Sequence, residues 1–504
     1  MSSQPQLARV IPRAEHSVSR SQLSPDAVRV LYRLKEAGFQ AFLVGGCVRD
    51  VLLGIQPKDF DVATDAHPEE VRRLFRNCRL IGRRFRLAHV FFGREIIEVA
   101  TFRAQSAPPP GAEIEDPEDI DDDDGEGDDA PAPLSEAARF QQQAAAAAGH
   151  DHSHINDDDD DDDFDRSVDV QGRILRDNVY GTIDDDVWRR DFTANALYYN
   201  IADFSIWDYT SGLEDIQARR LRLIGDPETR YREDPVRMLR AARFEAKLGF
   251  TLEPGTAAPI ATLRDLLADV PPARLFEETL KLFLGGHGAR SLAVLRQHGL
   301  LGALLPPVAA CLERFPGSPI EQLLIRGLEN TDARVAADKP VTPGFLFALL
   351  LYGPVGLEIE KAPEERWTDL PVIFDAVDAA VRAVQKRVSL PRRFSLGVRD
   401  MFALQPRLEV PRGRRALRTL EHPRFRAAFD LLALRADCGM ASAETVAWWT
   451  ALQEAAGPQR EQLAEASGNG QGGGGGNAPR GGSGRSSRGR RRRGGRTRST
   501  NPGG

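Results

Sequence analysis

Phe42 to Gly54 reads FLVGGCVRDVLLG, and this stretch decides the architecture. The apolar run that leads through it, Phe39 to Val44, predicts a buried strand. The strand ends in Gly45-Gly46. A short helix is predicted from Val48 to Leu53, with Arg49-Asp50 in its first turn. Glycines let a phosphate approach the backbone closely. A helix start offers unpaired N–H groups and a partial positive charge, and an arginine adds a fork shaped for phosphate oxygens. By itself a glycine pair before a helix is more often only a tight turn, so the reading depends on its neighbours.

Upstream, Ser24-Pro25 predicts an N-cap followed by proline at the first helical position, with Gly38 ending that helix. Downstream, Lys58 to Val62 (KDFDV) alternates like a strand with one wet face. Residues two apart on a strand share a face, which sets Asp59 beside Asp61 and turns Phe60 to the core. Adjacent carboxylates repel unless a cation intervenes, and Mg²⁺ takes one or two carboxylates plus phosphate oxygens. An isolated D-x-D is more often a solvated strand edge. Glu98, in EIIEVATFR, shares its strand face with Ile96 and Ala100, and an acid there needs a partner. A metal shared with Asp59 and Asp61 is one such partner, and a nearby arginine is another.

Two further clusters follow. Arg189-Arg190-Asp191-Phe192-Thr193-Ala194-Asn195 packs arginines, a carboxylate and an amide ahead of a strand, a set suited to a triphosphate and a ribose. Glu233-Asp234 precedes Arg237, Arg240 and Arg243 in a stretch, Glu233 to Leu248, whose apolar spacing predicts a helix. Asp234, Arg237 and Arg240 then share one helical face. An Asp–Arg pair can read a base edge, although surface ion pairing is the commoner use of such spacing.

The chain of 504 residues is long enough for several domains. Its net charge of −7 conceals segregation into acidic runs near the middle and an arginine-rich end. Cys47, Cys78, Cys311 and Cys438 lack the paired spacing of a zinc or redox site, which favours a reducing, cytoplasmic setting. The N-terminus lacks the apolar core of a signal peptide. Phe345 to Leu351 is too short to span a bilayer, so no stable membrane insertion is expected.

The expected organisation starts with a tail over 1–20. An α/β head with a small mixed sheet follows over 21–214, interrupted by a disordered acidic insertion at 104–172. Helical segments come next at 215–288 and 289–456, then a disordered Gly/Arg-rich tail at 457–504. His150, His152 and His154 beside the Asp run are weak metal candidates, and the tryptophans form no stacking pattern.

FLVGGCVRDVLLG, KDFDVAT, IIEVATFR, RRDFTANALYY and REDPVRMLRAARF together resemble the class II nucleotidyltransferases, which include bacterial poly(A) polymerases and tRNA CCA-adding enzymes. Phe75 to Val90 (FRNCRLIGRRFRLAHV) is similar to the poly(A) polymerase version of that segment, as are PPARLFEETLKLFLGGHG, HPRFRAAFDLLALRA and the basic tail. The resemblance implies a nucleotidyltransferase head, an all-α neck and body, and addition of AMP from ATP to RNA 3′ ends. It implies two Mg²⁺ ions on Asp59, Asp61 and Glu98, with Asp191 among the catalytic acids. Gly45, Gly46, Arg49, Lys58, Arg190 and Asn195 would meet the phosphates and ribose. Asp234 and Arg237 would read adenine, supported by Arg240 and Arg243. RNA would lie on the helical body and arginine-rich tail of a monomer. Two alternatives stand beside this reading: a CCA-adding enzyme, and a catalytically silent RNA-binding protein of the same fold.

Overall fold

The computed structural model describes residues 7–82, 86–104, 167–168, 174–176, 180–411 and 413–469. The acidic and histidine runs expected in the insertion lie outside these residues, as do the glycine- and arginine-rich residues from 470 onward.

The head is an eight-stranded sheet whose strands are β1 (Arg9–Ile11), β2 (Ala41–Val44), β3 (Asp61–Thr64), β4 (Cys78–Ile81), β5 (Leu87–Phe92), β6 (Glu95–Thr101), β9 (Leu197–Asn200) and β10 (Ile206–Asp208). A separate two-stranded ladder, β7 (Ser167–Val168) and β8 (Ile174–Arg176), lies between β6 and β9 in the chain. The sheet order is β1-β10-β9-β2-β3-β6-β5-β4, and β3–β6 is its parallel pair. The two expected hairpins are present as β5–β6 and β9–β10.

Helix α1 (Pro25–Glu36) starts where expected. The Ser24 hydroxyl accepts from the N–H groups of Asp26 and Ala27 at 3.1 and 3.3 Å. Val30, Leu31 and Leu34 bury one face of it in the main core with Leu43, Val62, Ile97 and Val99. Phe42, Val44, Ala63 and Tyr198 point to the opposite face of the sheet. There they pack with Ile183 and Val187 of α4 (Ile183–Arg189), the helix after α2 (Gly46–Leu52) and α3 (Pro68–Leu74).

Several expectations need correction. The first twenty residues are not all tail: Arg9–Ile11 pairs antiparallel with β10 and buries Ile11. Three residues are too few to leave a periodic signature. The strand expected from Lys58 to Val62 runs instead from Asp61 to Thr64, so Asp59 and buried Phe60 lie ahead of it. The helix expected from Glu233 to Leu248 is two, α6 (Pro227–Glu233) and α7 (Val236–Leu248), following α5 (Gly212–Gln217). The residue before a proline is pushed out of the helical region, and Asp234 before Pro235 has φ −149° and ψ 94°. Asp234 is therefore a junction residue, off the helical face that carries Arg237 and Arg240. The half expected to lack strands holds one short parallel ladder, Arg220–Leu221 with Thr251–Leu252.

Beyond α7 the chain is otherwise helical: two single-turn helices, Pro254–Ala257 and Ile260–Leu263, lead to the longer α8 (Pro272–Phe283) and α9 (Gly288–Gln297). It stays helical past the expected boundary at 456, through Pro458–Asn469. Proline at the start and a run of Gln, Glu, Leu and Ala favour a helix there despite the glycine-rich sequence that follows.

Candidate active site

Directly paired residues on neighbouring strands point to the same side of a sheet. Following the register gives one row: Arg79, His89, Glu98, Asp61, Val44, Tyr198. The parallel β3–β6 pairing thus sets Asp61 directly beside Glu98. α4 covers the Tyr198 end of this face, and both acids keep partial exposure.

Gly45 backs onto this row. Its φ of 82° and ψ of −139° suit glycine alone, and an added Cβ would lie 3.5 Å from the Asp61 Oδ2. A side chain would make only ordinary contact with that carboxylate, so glycine is required here by the positive φ. Gly46 opens α2, and an added Cβ there would meet the Arg49 guanidinium at 3.4 Å.

Burial pushes the Asp61 carboxyl up to about 6, and the neighbouring Asp59 charge adds to the rise, while the Arg190 guanidinium pulls the other way. His89, opposite Glu98, is buried and its pKa is lowered by that burial, and its Nε2 is 3.8 Å from Glu98 Oε1. Asp59, Asp61 and Glu98 share this corner. Even so, among the described residues no three His, Cys, Asp or Glu side chains are grouped closely enough to enclose an ion as they stand. Carboxylates without a cation between them repel, and Glu98 turns toward His89. The charge of Asp59 against Asp61 and the burial of the Asp61 carboxyl are what a divalent cation would relieve, so this donor set fits one.

The raised Asp61 pKa has a stability consequence. Its folded value lies above the ordinary 3.8. The protonated form is therefore favoured by folding, and that advantage is complete below about pH 4 and lost as pH rises through about 6. In metal-free protein, Asp61→Asn is expected to be more stable than the parent by about 2–3 kcal/mol near pH 8, with the gap closing toward pH 4. Denaturant melts in a chelator across this range check it. Parallel pH profiles for the two proteins would contradict it.

A second network joins the glycine turn to the neck. Arg49 is 2% exposed, and its Nε and Nη2 donate to Asp50 Oδ1 at 2.9 and 2.7 Å. Its Nη1 donates to Asn195 Oδ1. Asn195 Nδ2 donates to Asp191 Oδ1 at 3.4 Å, and Arg240 of α7 donates to Asp191 Oδ2 through Nε at 2.9 Å and through Nη2. Burial alone would raise the Asp191 carboxyl. The charge and hydrogen bonds of Arg240, with the Phe192 N–H and Asn195, more than offset it and hold the pKa at about 2. The guanidinium carbons of Arg49, Arg240 and Arg243 lie 5.6, 5.6 and 4.7 Å from the Phe244 ring, so one aromatic gathers cations from head and neck.

Sequence reasoning counted Asp191 among the catalytic acids, but here its oxygens are taken up by Arg240, Asn195 and the Phe192 N–H. Asp234 Oδ2 accepts from Arg274 at 2.7 Å. Arg237 donates from Nη1 to the Arg230 carbonyl at 2.7 Å and to Glu233 at 2.9 Å. Arg243 lies 3.8 Å from Glu278, and Lys58 is exposed one residue before Asp59. The sequence reading missed the partners Asp186, Tyr198, Arg230, Arg274 and Glu278. Arg230 is the most legible of these in hindsight, as the first of the two arginines, Arg230 and Arg232, just before Glu233-Asp234. It is buried and ties α6 to the head through the Arg189 and Arg190 carbonyls at 2.9 and 2.8 Å.

Three family descriptions match the chain in order: the poly(A) polymerase head domain over residues 41–222, the probable RNA and SrmB-binding site of polymerase A over 249–312, and the polymerase A arginine-rich C-terminus over 366–497. Poly(A) polymerase I of Escherichia coli O6:H1 is 43% identical over 465 residues, covering 90% of this chain and 88% of that protein. The CCA-adding enzyme of Lactobacillus helveticus is 31% identical over 268 residues, covering 53% and 52%. A solved CCA-adding enzyme in complex with ATP shares the fold, with a TM-score of 0.50 at 17% identity over 86% of this chain and 83% of that one. The chain belongs to the poly(A) polymerase family.

Proposed function

We propose that this protein adds AMP from ATP to RNA 3′ ends without a template, releasing pyrophosphate. The observation that carries the reading is the β3–β6 register, which sets Asp61 beside Glu98 at the glycine turn, with Asp59 next to it and the Arg190 charge acting on it. Asp59, Asp61 and Glu98 would hold Mg²⁺, two ions being the expected number. When bound, the metal supplies charge neutralisation for an in-line phosphoryl displacement. The chain's own part is positioning. Gly45 and Gly46 keep side chains away from the triphosphate, and Arg190 and Lys58 offer it positive charge. Arg49 and Asn195 shape the turn from beneath. Asp191 serves as the link between Asn195 and Arg240. Asp234 and Arg237 remain the candidates for reading adenine, their placement fixed by Arg274 and Glu233 and supported by Arg240 and Arg243.

RNA would lie along the helical body and the arginine-rich end, bound through phosphates and so sensitive to salt. Among the described residues no helix is long and apolar enough to cross a membrane. We place the enzyme in the cytoplasm as a monomer.

The CCA-adding alternative uses CTP as well as ATP, and base choice is what separates the two. Asp234→Ala is expected to lower the preference for ATP over CTP by about tenfold or more, since one hydrogen-bonding group to a base is worth about 1–3 kcal/mol. Competition between the two nucleotides on one labelled RNA measures it. An unchanged ratio with Asp234→Ala and Arg237→Ala would remove adenine reading from these residues.

A further inference from the structure

Arg190 is one of the two residues, with Lys58, from which the proposed site would offer a cation to the triphosphate, and its surroundings are more elaborate than the motif around it predicts. It follows α4 directly. Its Nε and Nη2 donate to Asp186 Oδ2, one turn back, at 3.1 and 2.8 Å. Its Nε also donates to the Tyr198 hydroxyl at 2.7 Å, and that hydroxyl donates to the same Asp186 oxygen at 2.7 Å. The guanidinium carbon lies 5.0 Å from the centre of the Tyr198 ring. Asp186 and Tyr198 are buried, and the Arg103 N–H donates to the second Asp186 oxygen at 3.4 Å. These contacts occupy Nε and Nη2. Among the described residues Nη1 donates to no protein acceptor.

Tyr198 stands in the cross-sheet row, two places from Asp61 by way of Val44. The ring on which Arg190 rests is thus part of the floor that carries the proposed catalytic acid. A long side chain loses rotamer freedom when it engages a ligand, and holding it beforehand removes that cost.

We propose that Asp186 and Tyr198 are positioning residues that clamp Arg190 and leave its Nη1 edge to the nucleoside triphosphate beside Asp61. This rests on the reading of the site as a nucleotide site. Neither residue touches the substrate; both act through Arg190. A carboxylate and a phenol that served only the core would be indifferent to what Arg190 does.

The test is a double-mutant cycle in the full-length chain. Tyr198→Phe, which deletes only the hydroxyl, and Asp186→Asn are each made alone and in an Arg190→Lys background. KM for ATP and kcat are measured on one RNA, together with equilibrium binding of ATP in the absence of RNA. Each single variant is expected to raise KM and the dissociation constant for ATP about tenfold, with kcat changed less than about threefold and RNA affinity unmoved. In the Arg190→Lys background the same changes should have almost no further effect. Unchanged ATP affinity in the folded single variants would overturn the clamp, as would an equal loss in both backgrounds. If Asp186→Asn fails to fold, Tyr198→Phe decides alone. A parent protein that binds ATP but adds no AMP would count against the proposed reaction, and the binding arm would still decide the clamp.

Discussion

Asp61→Asn is expected to lower AMP addition by on the order of 10³-fold or more, because a charge-neutralising group at a phosphoryl-transfer site is worth several kcal/mol of barrier. Asp59→Asn should behave alike. The prediction is sharper for Asp61, whose carboxyl is held near 6 by burial and by Asp59 in the metal-free protein. The substitution that destroys activity should therefore stabilise the fold near pH 8. Loss of activity joined to a gain in stability is hard to obtain by damaging a core, and it is the mark of a residue kept for function at a structural cost. Single-turnover tailing rates beside denaturant melts measure both. Activity within tenfold of the parent would remove Asp61 from the catalytic centre.

Asp191→Ala should act in the opposite way, lowering activity and stability together. Its carboxylate is the joint between Asn195, which also accepts from Arg49, and Arg240 of the neck helix. Removing it leaves the partly buried Arg240 without this counterion, at a cost of about 3 kcal/mol. It also frees the side chain that holds Arg49 under the glycine turn. Asp191→Asn keeps one acceptor oxygen, which can face Arg240 while the amide nitrogen takes the place of the oxygen that meets the Phe192 N–H, and should retain measurable tailing at a cost of about 1–2 kcal/mol. Urea melts and tailing rates on both variants separate a link from a metal ligand. If Asp191→Asn is as inactive as Asp61→Asn while remaining as stable as the parent, Asp191 belongs with the catalytic acids.

The head was legible where residue type and spacing coincide with a local rule. Gly45-Gly46 after an apolar strand, the Ser24-Pro25 cap and the alternation around Glu98 each depend on neighbours a few residues away, and each stands where it was expected. Asp61 beside Glu98 needed the β3–β6 register, which is set between segments far apart in sequence. The Asp234-Pro235 break was visible in principle, since proline restricts the residue before it, but the apolar spacing of the helix on its far side masked it. β1 has three residues and no pattern to read. Asp186 gave no signal, and Tyr198, though inside RRDFTANALYY, gave none of its role: an acid on an acidic helix and a tyrosine on a strand become a clamp only when Arg190 folds across them.

The most direct test of the account is the length and composition of what the enzyme adds. Full-length protein, Mg²⁺ and a short labelled unstructured RNA are incubated with ATP or CTP alone, and in parallel with a tRNA lacking its 3′ end. The account predicts a long, growing ladder with ATP, little addition with CTP, no requirement for tRNA, and no ladder with the double variant Asp59→Ala, Asp61→Ala. Addition that needs the tRNA, consumes CTP and halts after three nucleotides would contradict it in favour of the CCA-adding reaction, and no incorporation from either nucleotide would leave an RNA-binding protein on a catalytic fold.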